Sequence, residues 1–128
     1  MVNEMENVIL IVEDNTDNSL LVSKILEHSK YQTKVVETGK ETLEYCSATP
    51  PALILLDISL PDMDGFEVAK ALREQEATKN TPIIAITAHV MEGIAEESKK
   101  AGCNEYVAKP FMPKDLVALV GKYIQPQA

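Results

Sequence analysis

Five side chains suited to phosphoryl chemistry each follow a short apolar segment of this sequence. Glu13 and Asp14 come directly after one segment, Asp57 after a second, and Thr87 and Lys109 after two more. A carboxylate nucleophile, a hydroxyl donor, an ammonium group and a divalent cation are the components of a phosphoryl-transfer site. If the fold brings these residues together, the sequence predicts transfer of a phosphoryl group to Asp57.

The three carboxylates also predict a metal site. Carboxylates that lie within a few ångströms of one another cannot all stay ionised without a partner, so either some are protonated or a cation neutralises them. Clustered oxygen ligands without His or Cys suit a hard ion such as Mg²⁺, which proteins hold through one or two carboxylates and several waters. Glu13, Asp14 and Asp57 are therefore candidate Mg²⁺ ligands.

Asp57 is the candidate nucleophile because a carboxylate is already ionised at pH 7 and needs no general base. Its attack on phosphorus gives an aspartyl phosphate. Lys109 and the cation then neutralise the phosphoryl oxygens, and Thr87 offers a hydroxyl donor.

Five short apolar segments predict the strands that must position these residues. Four of the five segments are unbroken by polar residues, which is typical of strands covered on both faces of a parallel sheet. Between them, apolar residues recur at helical spacing, as at Leu21, Val22, Ile25 and Leu26, so the chain alternates strand and helix. The predicted strands are Val8 to Val12, Thr33 to Val36, Ala52 to Leu56, Pro82 to Ile86 and Tyr106 to Ala108.

This alternation predicts an α/β fold with a five-stranded parallel sheet in the order 2-1-3-4-5. Five strands are too few for a closed eightfold barrel, so the sheet is open and doubly wound, flavodoxin-like, with helices on both faces. In that order the first and third strands are neighbours, which places Glu13, Asp14 and Asp57 at one edge of the sheet. Ligands of such sheets bind beyond the carboxyl ends of the strands.

Length, composition and charge restrict the class of protein. The 128 residues, 45% of them hydrophobic, predict one globular domain over residues 8–125, with tails at residues 1–7 and 126–128. The net charge of −8 argues against direct binding to nucleic acid or to anionic lipid. The sequence has no signal peptide and no apolar segment of membrane-spanning length, so we expect a cytoplasmic protein. Cys46 and Cys103 are expected to be reduced core thiols.

Each candidate residue also has a structural interpretation when it is taken alone. Asp14 is able to cap the first helix, and Asp64 has the position of a cap for the third. Thr87 fits an ordinary strand residue, and Lys109 fits an exposed strand end. Their joint placement at separate strand ends favours the functional interpretation. We expect both histidines of the sequence, His28 and His89, to be solvated and not to be phosphoryl donors.

The residues at the strand ends resemble those of the receiver domain of two-component response regulators. The resemblance rests on Glu13-Asp14-Asn15, the segment from Asp57 to Gly65, Thr87-Ala88 and Lys109-Pro110, and it extends from about Val8 to Ile124. It implies that Asp57 accepts a phosphoryl group from a phosphohistidine on a histidine kinase or a histidine phosphotransfer protein. It also implies a cis peptide bond between Lys109 and Pro110.

The resemblance further assigns roles around Asp57. Glu13, Asp14, Asp57 and the backbone carbonyl of Ser59 are implied to bind Mg²⁺, and Lys109 is implied to bind the phosphoryl group.

Thr87 and Tyr106 are the implied switch pair, and Ser59 and His89 are implied to tune the lifetime of the aspartyl phosphate. No output domain is expected after the fifth helix. The face formed by the fourth helix, fifth strand and fifth helix is therefore expected to contact an effector protein or a second copy of this chain.

Two other functions use similar features. A phosphatase or transferase with an Asp57 nucleophile needs a substrate pocket and usually a second domain, for which the chain has no residues to spare. A flavodoxin-like electron carrier shares the fold and the acidity, but Glu13-Asp14-Asn15 repels a flavin phosphate and Trp is absent. A phosphorylation-activated signalling switch is therefore the predicted function.

Overall fold

The computed structural model describes residues 8–88 and 92–124, within which five β-strands alternate with five α-helices. The strands are β1 (Val8–Val12), β2 (Gln32–Val36), β3 (Leu53–Asp57), β4 (Ile83–Thr87) and β5 (Glu105–Ala108). The helices are α1 (Thr16–His28), α2 (Gly39–Ala48), α3 (Gly65–Glu74), α4 (Ile94–Ala101) and α5 (Pro113–Gly121). The strands match the predicted segments to within one residue at each end. The predicted tails at residues 1–7 and 126–128 lie outside the described ranges.

The sheet is parallel throughout and has the order β2-β1-β3-β4-β5, which confirms the predicted topology. The register pairs Val12 with Leu56 and Asp57 with Ile86, so the carboxyl ends of β1, β3 and β4 lie side by side. Thr87 pairs with Ala108, which brings the end of β5 to the same edge. The strand register therefore determines which residues meet at the site.

Two apolar layers cover the two faces of the sheet. One layer joins Leu10 and Val12 of β1 to buried residues of α2, α3 and α4. The other joins Ile9 and Ile11 to buried residues of α1 and α5. The central strands β1, β3 and β4 are buried almost throughout, whereas the edge strands β2 and β5 are only partly covered. Unbroken apolar segments arise here because both faces of a central parallel strand are packed.

Two capping side chains and one proline define where α2, α3 and α5 begin. Thr38 caps α2 by accepting a hydrogen bond from the N–H of Glu41, and Asp64 caps α3 by accepting one from Phe66. The prediction for Asp64 is thereby confirmed. Pro113 occupies the first turn of α5, where its missing N–H costs no helical hydrogen bond.

The apolar residues that predict α1 differ in how far they are buried. Val22 and Leu26 of α1 are buried, but Leu21, which shares their apolar segment, is 57% exposed. Helical spacing therefore predicts the helix but not the burial of each apolar residue in it.

The other local expectations concern the cysteines, the histidines, the Lys109–Pro110 peptide bond and membrane-spanning segments. Cys46 and Cys103 are free and buried, and burial raises the pKa of their thiols to about 12 and about 11. His28 is exposed as expected, whereas His89 lies outside the described residues. The Lys109–Pro110 peptide bond is cis, in agreement with the resemblance. Among the described helices, none has the length and hydropathy needed to cross a bilayer.

Candidate functional site

Glu13 and Asp57 meet because β1 and β3 are adjacent parallel strands. Glu13 follows Val12 directly, its N–H donates to the carbonyl of Val36, and Asp57 is the last residue of β3. Both carboxylates are buried, at 6% and 5% residue exposure. Two buried carboxylates need a positive partner, since an unpaired charge in such a place is costly.

Lys109 is that partner. Its Nζ lies 2.8 Å from Glu13 Oε1 and 3.0 Å from Asp57 Oδ2, so a single ammonium bridges the two carboxylates. The lysine follows β5, and its N–H donates to the carbonyl of Thr87, which anchors its backbone beside β4. The aliphatic stem spans the distance from the fifth strand to the third, as the sequence predicts.

The pKa values of this group reflect burial opposed by ion pairing. Burial raises the pKa of Glu13 even though the hydrogen bond from Lys109 lowers it. Burial acts to lower the pKa of Lys109, but hydrogen bonds to Glu13 and Asp57 outweigh it, so that pKa is raised. Lys109 is therefore a permanent cation in this cleft at neutral pH.

Asp57 is held by both of its carboxylate oxygens. Oδ1 accepts a hydrogen bond from the backbone N–H of Ser59 at 2.8 Å, while Oδ2 faces Lys109. The N–H of Ser59 thus fixes the plane of the carboxylate, and Ser59 itself is exposed.

Asp14 completes the acidic cluster and does not cap α1. The cap is Asn15, whose Oδ1 accepts a hydrogen bond from the N–H of Asn18 at 3.0 Å, so the structural interpretation of Asp14 is wrong. One oxygen each from Glu13, Asp14 and Asp57 lies within 4.8 Å of the others. Asp14 is exposed and is free to turn toward a ligand.

The charges of the cluster fit a divalent cation. Three carboxylates carry three negative charges and Lys109 carries one positive charge, which leaves two negative charges at the site. The donors are all oxygens, and hard cations such as Mg²⁺ prefer oxygen ligands. The residues present therefore form a candidate divalent cation site.

Three of the predicted residues remain: Thr87, Tyr106 and His89. Thr87 ends β4 and is 2% exposed, and Tyr106 of β5 pairs with Ala85, two residues before Thr87, and is 38% exposed. The structure therefore brings Thr87 to the same sheet edge as Asp57 and leaves the ring of Tyr106 partly in solvent. His89 lies outside the described residues, so its predicted tuning role stays a prediction.

The sequence did not single out an apolar wall beside the cleft. A cavity of about 370 Å³ is lined by Leu21 of α1, by Pro110 and Phe111 after β5, and by Glu13 and Lys109. Leu21 is exposed, as are Leu20 and Met112, which neighbour lining residues in the sequence. Exposed large apolar residues grouped at one place mark a contact surface.

A second unpredicted residue is Asp62, in the loop between β3 and α3. Its Oδ1 and Oδ2 accept hydrogen bonds from the backbone N–H groups of Gly39 and Lys40, at 2.8 and 3.1 Å. The hydrogen bond from Gly39 holds the pKa of Asp62 below its usual range. Nothing local in the sequence signals this contact, because donor and acceptor are more than twenty residues apart.

Comparisons with known proteins agree over nearly the whole chain. A family model described as "Response regulator receiver domain" matches residues 9–121. The polar-differentiation response regulator DivK of Brucella ovis is 36% identical over 120 residues, which are 94% of this chain and 98% of that protein.

Two solved structures show the same fold. The chemotaxis protein CheY4 of Vibrio cholerae superposes with a TM-score of 0.86 at 29% identity, covering 91% of this chain and 98% of that one. The receiver domain of a sensor histidine kinase from Pseudomonas aeruginosa superposes with a TM-score of 0.85 at 32% identity, covering 91% and 96%. That structure has a magnesium ion coordinated in its active-site cleft.

Proposed function

This chain belongs to the family of response regulator receiver domains, and we propose that it is a phosphorylation-activated switch whose phosphoacceptor is Asp57. The observation that carries the proposal is the buried Asp57 carboxylate, 3.0 Å from Lys109 and beside Glu13 at the carboxyl edge of the sheet. Receiver domains are signalling switches, so family membership favours this function over a turnover enzyme or an electron carrier.

In the proposed reaction an oxygen of Asp57 attacks the phosphorus of a phosphohistidine. The new bond joins that oxygen to phosphorus, the N–P bond of the donor breaks, and the donor imidazole keeps the electron pair and takes a proton. Lys109 Nζ, already 3.0 Å from Asp57 Oδ2, stays beside the charge that arrives with the phosphoryl group. Asp57 is therefore the nucleophile and Lys109 the phosphate-binding cation.

Glu13, Asp14, Asp57 and the carbonyl of Ser59 are the residues that would hold Mg²⁺ in this reaction. A bound Mg²⁺ supplies positive charge to the phosphoryl oxygens and to the acidic cluster. The oxygens of the three carboxylates lie within 4.8 Å of one another, and the similar receiver from Pseudomonas aeruginosa has a magnesium ion in its cleft. Both observations support Mg²⁺ as the cofactor.

The apolar wall beside the cleft is proposed as the docking surface for the phosphohistidine donor. The donor must bring its histidine to Asp57, so its contacts have to lie near the cavity lined by Glu13 and Lys109. Leu21 of α1 lines that cavity, and the exposed Leu20 and Met112 neighbour its lining residues in the sequence. A helix of a histidine kinase or a histidine phosphotransfer protein is the proposed occupant, since exposed apolar side chains pack well against a helix face.

Thr87 and Tyr106 are proposed to carry the signal away from Asp57. The hydroxyl of Thr87 donates to the phosphoryl group, a charge-assisted hydrogen bond worth about 1.5–3 kcal/mol. A full population shift needs about 5.5 kcal/mol, so Lys109 and the cation contribute the rest. Tyr106, 38% exposed, changes position in response and alters the face formed by α4, β5 and α5. An effector protein or a second copy of the chain then binds that face.

Four further expectations belong to the proposal. The domain covers residues 8–125, the protein acts in the cytoplasm, and its net charge of −8 keeps it from binding nucleic acid directly. Ser59, beside Asp57, and His89 adjust how readily water reaches the aspartyl phosphate.

The proposal is tested with phosphoramidate, a small donor whose N–P bond resembles that of phosphohistidine. Intact-mass spectrometry should show one added phosphoryl group on the wild-type chain in the presence of Mg²⁺. The Asp57→Asn variant should gain none, because an amide is not a nucleophile at phosphorus. Asp17→Asn, which removes a carboxylate in the first turn of α1, is the matched control and should behave as the wild type. Equal uptake by Asp57→Asn and the wild type would show that another residue is the acceptor.

A further inference from the structure

Two sets of contacts hold the loop that follows Asp57, one at its base and one at its tip. At its base, the N–H of Gly65 donates to the carbonyl of Ile58 at 3.0 Å, and Ser59 forms an antiparallel bridge with Asp64. At its tip, the carboxylate of Asp62 accepts hydrogen bonds from the first two N–H groups of α2. The contacts at the base join residues that are close in the sequence. The contacts at the tip join the loop to α2, which comes earlier in the chain.

The tip also packs closely on α2. A Cβ placed on Gly39 would lie 2.8 Å from both Met63 Sδ and Val68 Cγ2 and 3.2 Å from Met63 Cβ, so a side chain here would displace Met63 and Val68. Met63 is partly buried against the same apolar layer that contains Val68 of α3. The polar contact of Asp62 and the apolar contact of Met63 therefore hold the loop against the same end of α2.

Ser59 connects this loop to the site. Its N–H orients Asp57 through the 2.8 Å hydrogen bond to Oδ1, and its carbonyl is among the proposed Mg²⁺ ligands. Any displacement of the loop moves both groups, because they belong to one residue two positions after Asp57. Ser59 is thus held from two directions, by its bridge with Asp64 at the base and by the contacts of Asp62 three residues further on.

We propose that Asp62 is a positioning residue for the phosphoacceptor site, because it ties the loop that bears Ser59 to the N-terminus of α2. Its effect on Mg²⁺ binding rests on the proposed function, whereas its effect on the Ser59 N–H does not. Asp62 touches no reacting group itself, since its carboxylate is directed at the backbone of Gly39 and Lys40.

The alternative role for Asp62 is simple stabilisation of α2. Thr38 provides the matched control, because its Oγ1 accepts a hydrogen bond from Glu41 at the same end of α2 and does not belong to the β3–α3 loop. Thr38→Ala and Asp62→Ala both weaken the N-terminus of α2, but only Asp62→Ala releases the loop. Asp62→Asn keeps one carbonyl acceptor and should rescue part of the loss.

Two measurements distinguish these roles. In the metal-free protein, hydrogen exchange of the Ser59 amide by NMR should be faster in Asp62→Ala and unchanged in Thr38→Ala. In calorimetry with Mg²⁺ alone, Asp62→Ala should weaken binding at least about threefold, below the 10- to 100-fold typical of groups that contact a metal ligand directly. Gly39→Ala, which pushes Met63 away, should change both quantities in the same direction as Asp62→Ala.

The outcomes separate this inference from the proposed function. Unchanged Ser59 exchange in Asp62→Ala, or equal changes in Thr38→Ala, would overturn the positioning role. If the wild-type chain binds no Mg²⁺ and accepts no phosphoryl group, the proposed function fails, yet Ser59 exchange still decides whether Asp62 holds the loop. Faster exchange together with weaker Mg²⁺ binding in Asp62→Ala alone supports the inference.

Discussion

At the scale of single residues, Lys109 determines the charge balance of the cleft. Its ammonium lies 2.8 Å from Glu13 and 3.0 Å from Asp57, both buried, and it is itself only 24% exposed. Removing one partner of a buried ion pair leaves an uncompensated charge, which typically costs more than the pair contributes. Here the removal leaves two carboxylates facing each other.

We therefore expect Lys109→Ala to lower the free energy of unfolding of the metal-free protein by about 2 kcal/mol. Mg²⁺ should restore more stability to this variant than it adds to the wild type, because the ion then replaces the missing positive charge. Urea unfolding with and without Mg²⁺ measures both effects. Lys122→Ala removes an exposed ion pair with Glu105 and is the control, for which Mg²⁺ should make no difference. A Lys109→Ala protein as stable as the wild type without Mg²⁺ would argue against the charge balance described here.

At the scale of elements, the start of α3 is held against the end of β3 by a glycine. A Cβ on Gly65 would lie 2.3 Å from Ile58 Cα, a backbone atom that cannot move without displacing the residue after Asp57. We expect Gly65→Ala to lower the free energy of unfolding by about 2 kcal/mol, the usual cost of overpacking. Gly121→Ala at the end of α5, where the nearest atom is 3.9 Å away, should be neutral or stabilising by up to about 1 kcal/mol. Equal stability of the two variants in urea would contradict this close packing.

The contacts between β5 and the residues that follow α5 should make part of the folding stability depend on pH. Glu105 accepts hydrogen bonds from Lys122 Nζ at 2.8 Å and Tyr123 Oη at 2.7 Å, and the bond from Lys122 is the main reason that the pKa of Glu105 is lowered. A lowered carboxyl pKa adds stability above the unfolded-state value of about 4.3, and this stability is lost as the pH falls through the folded-state value.

Glu105→Gln should therefore be less stable than the wild type at pH 7, by about 0.5 kcal/mol because Lys122 is exposed. The difference should shrink below about pH 4, where the wild-type carboxylate also becomes neutral. Chemical unfolding at pH 7 and pH 3 measures it. A difference that stays constant between these pH values would show that the charge of Glu105 contributes nothing.

The strands, and the residues that meet at their carboxyl ends, could be predicted from the sequence. Strands were predicted to within one residue because buried parallel strands are short unbroken apolar segments, and their carboxyl ends share one edge of the sheet. Together with the strand order 2-1-3-4-5, that rule brings Glu13, Asp57 and Lys109 together, as the structure shows.

Contacts that depend on loop paths and on the extent of packing were not predictable. Asp62 reaches the N-terminus of α2 from a loop more than twenty residues further along the chain, and no local pattern encodes that distance. Leu21 belongs to the same apolar segment as the buried Val22 and Leu26 yet is 57% exposed. Such features need the three-dimensional arrangement of several elements at once.

At the scale of the whole molecule, the large exposed apolar side chains of the described residues lie in two parts of the fold. Leu21 lines the cavity beside Glu13 and Lys109 and has Leu20 next to it in the sequence, as Phe111 of the same cavity has Met112, whereas Tyr106 lies on the edge strand β5. The first surface is proposed to receive the donor and the second to present the output, so changes in them should affect different steps.

Leu21→Ala should slow transfer from a phosphorylated histidine phosphotransfer protein by about fivefold, the effect of losing a moderate interface contact. Its reaction with phosphoramidate should stay at the wild-type rate, because the small donor needs no docking surface. Tyr106→Ala is the matched control with an exposed aromatic removed elsewhere, and it should leave both rates unchanged. Equal slowing with both donors in Leu21→Ala would mean that Leu21 supports the site and not the docking of a partner.

Reductive trapping of the phosphorylated protein tests the central claim most directly, because it identifies the residue that carries the phosphoryl group. The chain is treated with acetyl phosphate and Mg²⁺, and borohydride then converts an aspartyl phosphate to homoserine, which peptide mass spectrometry locates. We predict homoserine at position 57 only when donor and Mg²⁺ are both present, and none in Asp57→Asn. Homoserine at position 14 or elsewhere, or its absence from a chain that has gained the mass of a phosphoryl group, would contradict the assignment of Asp57.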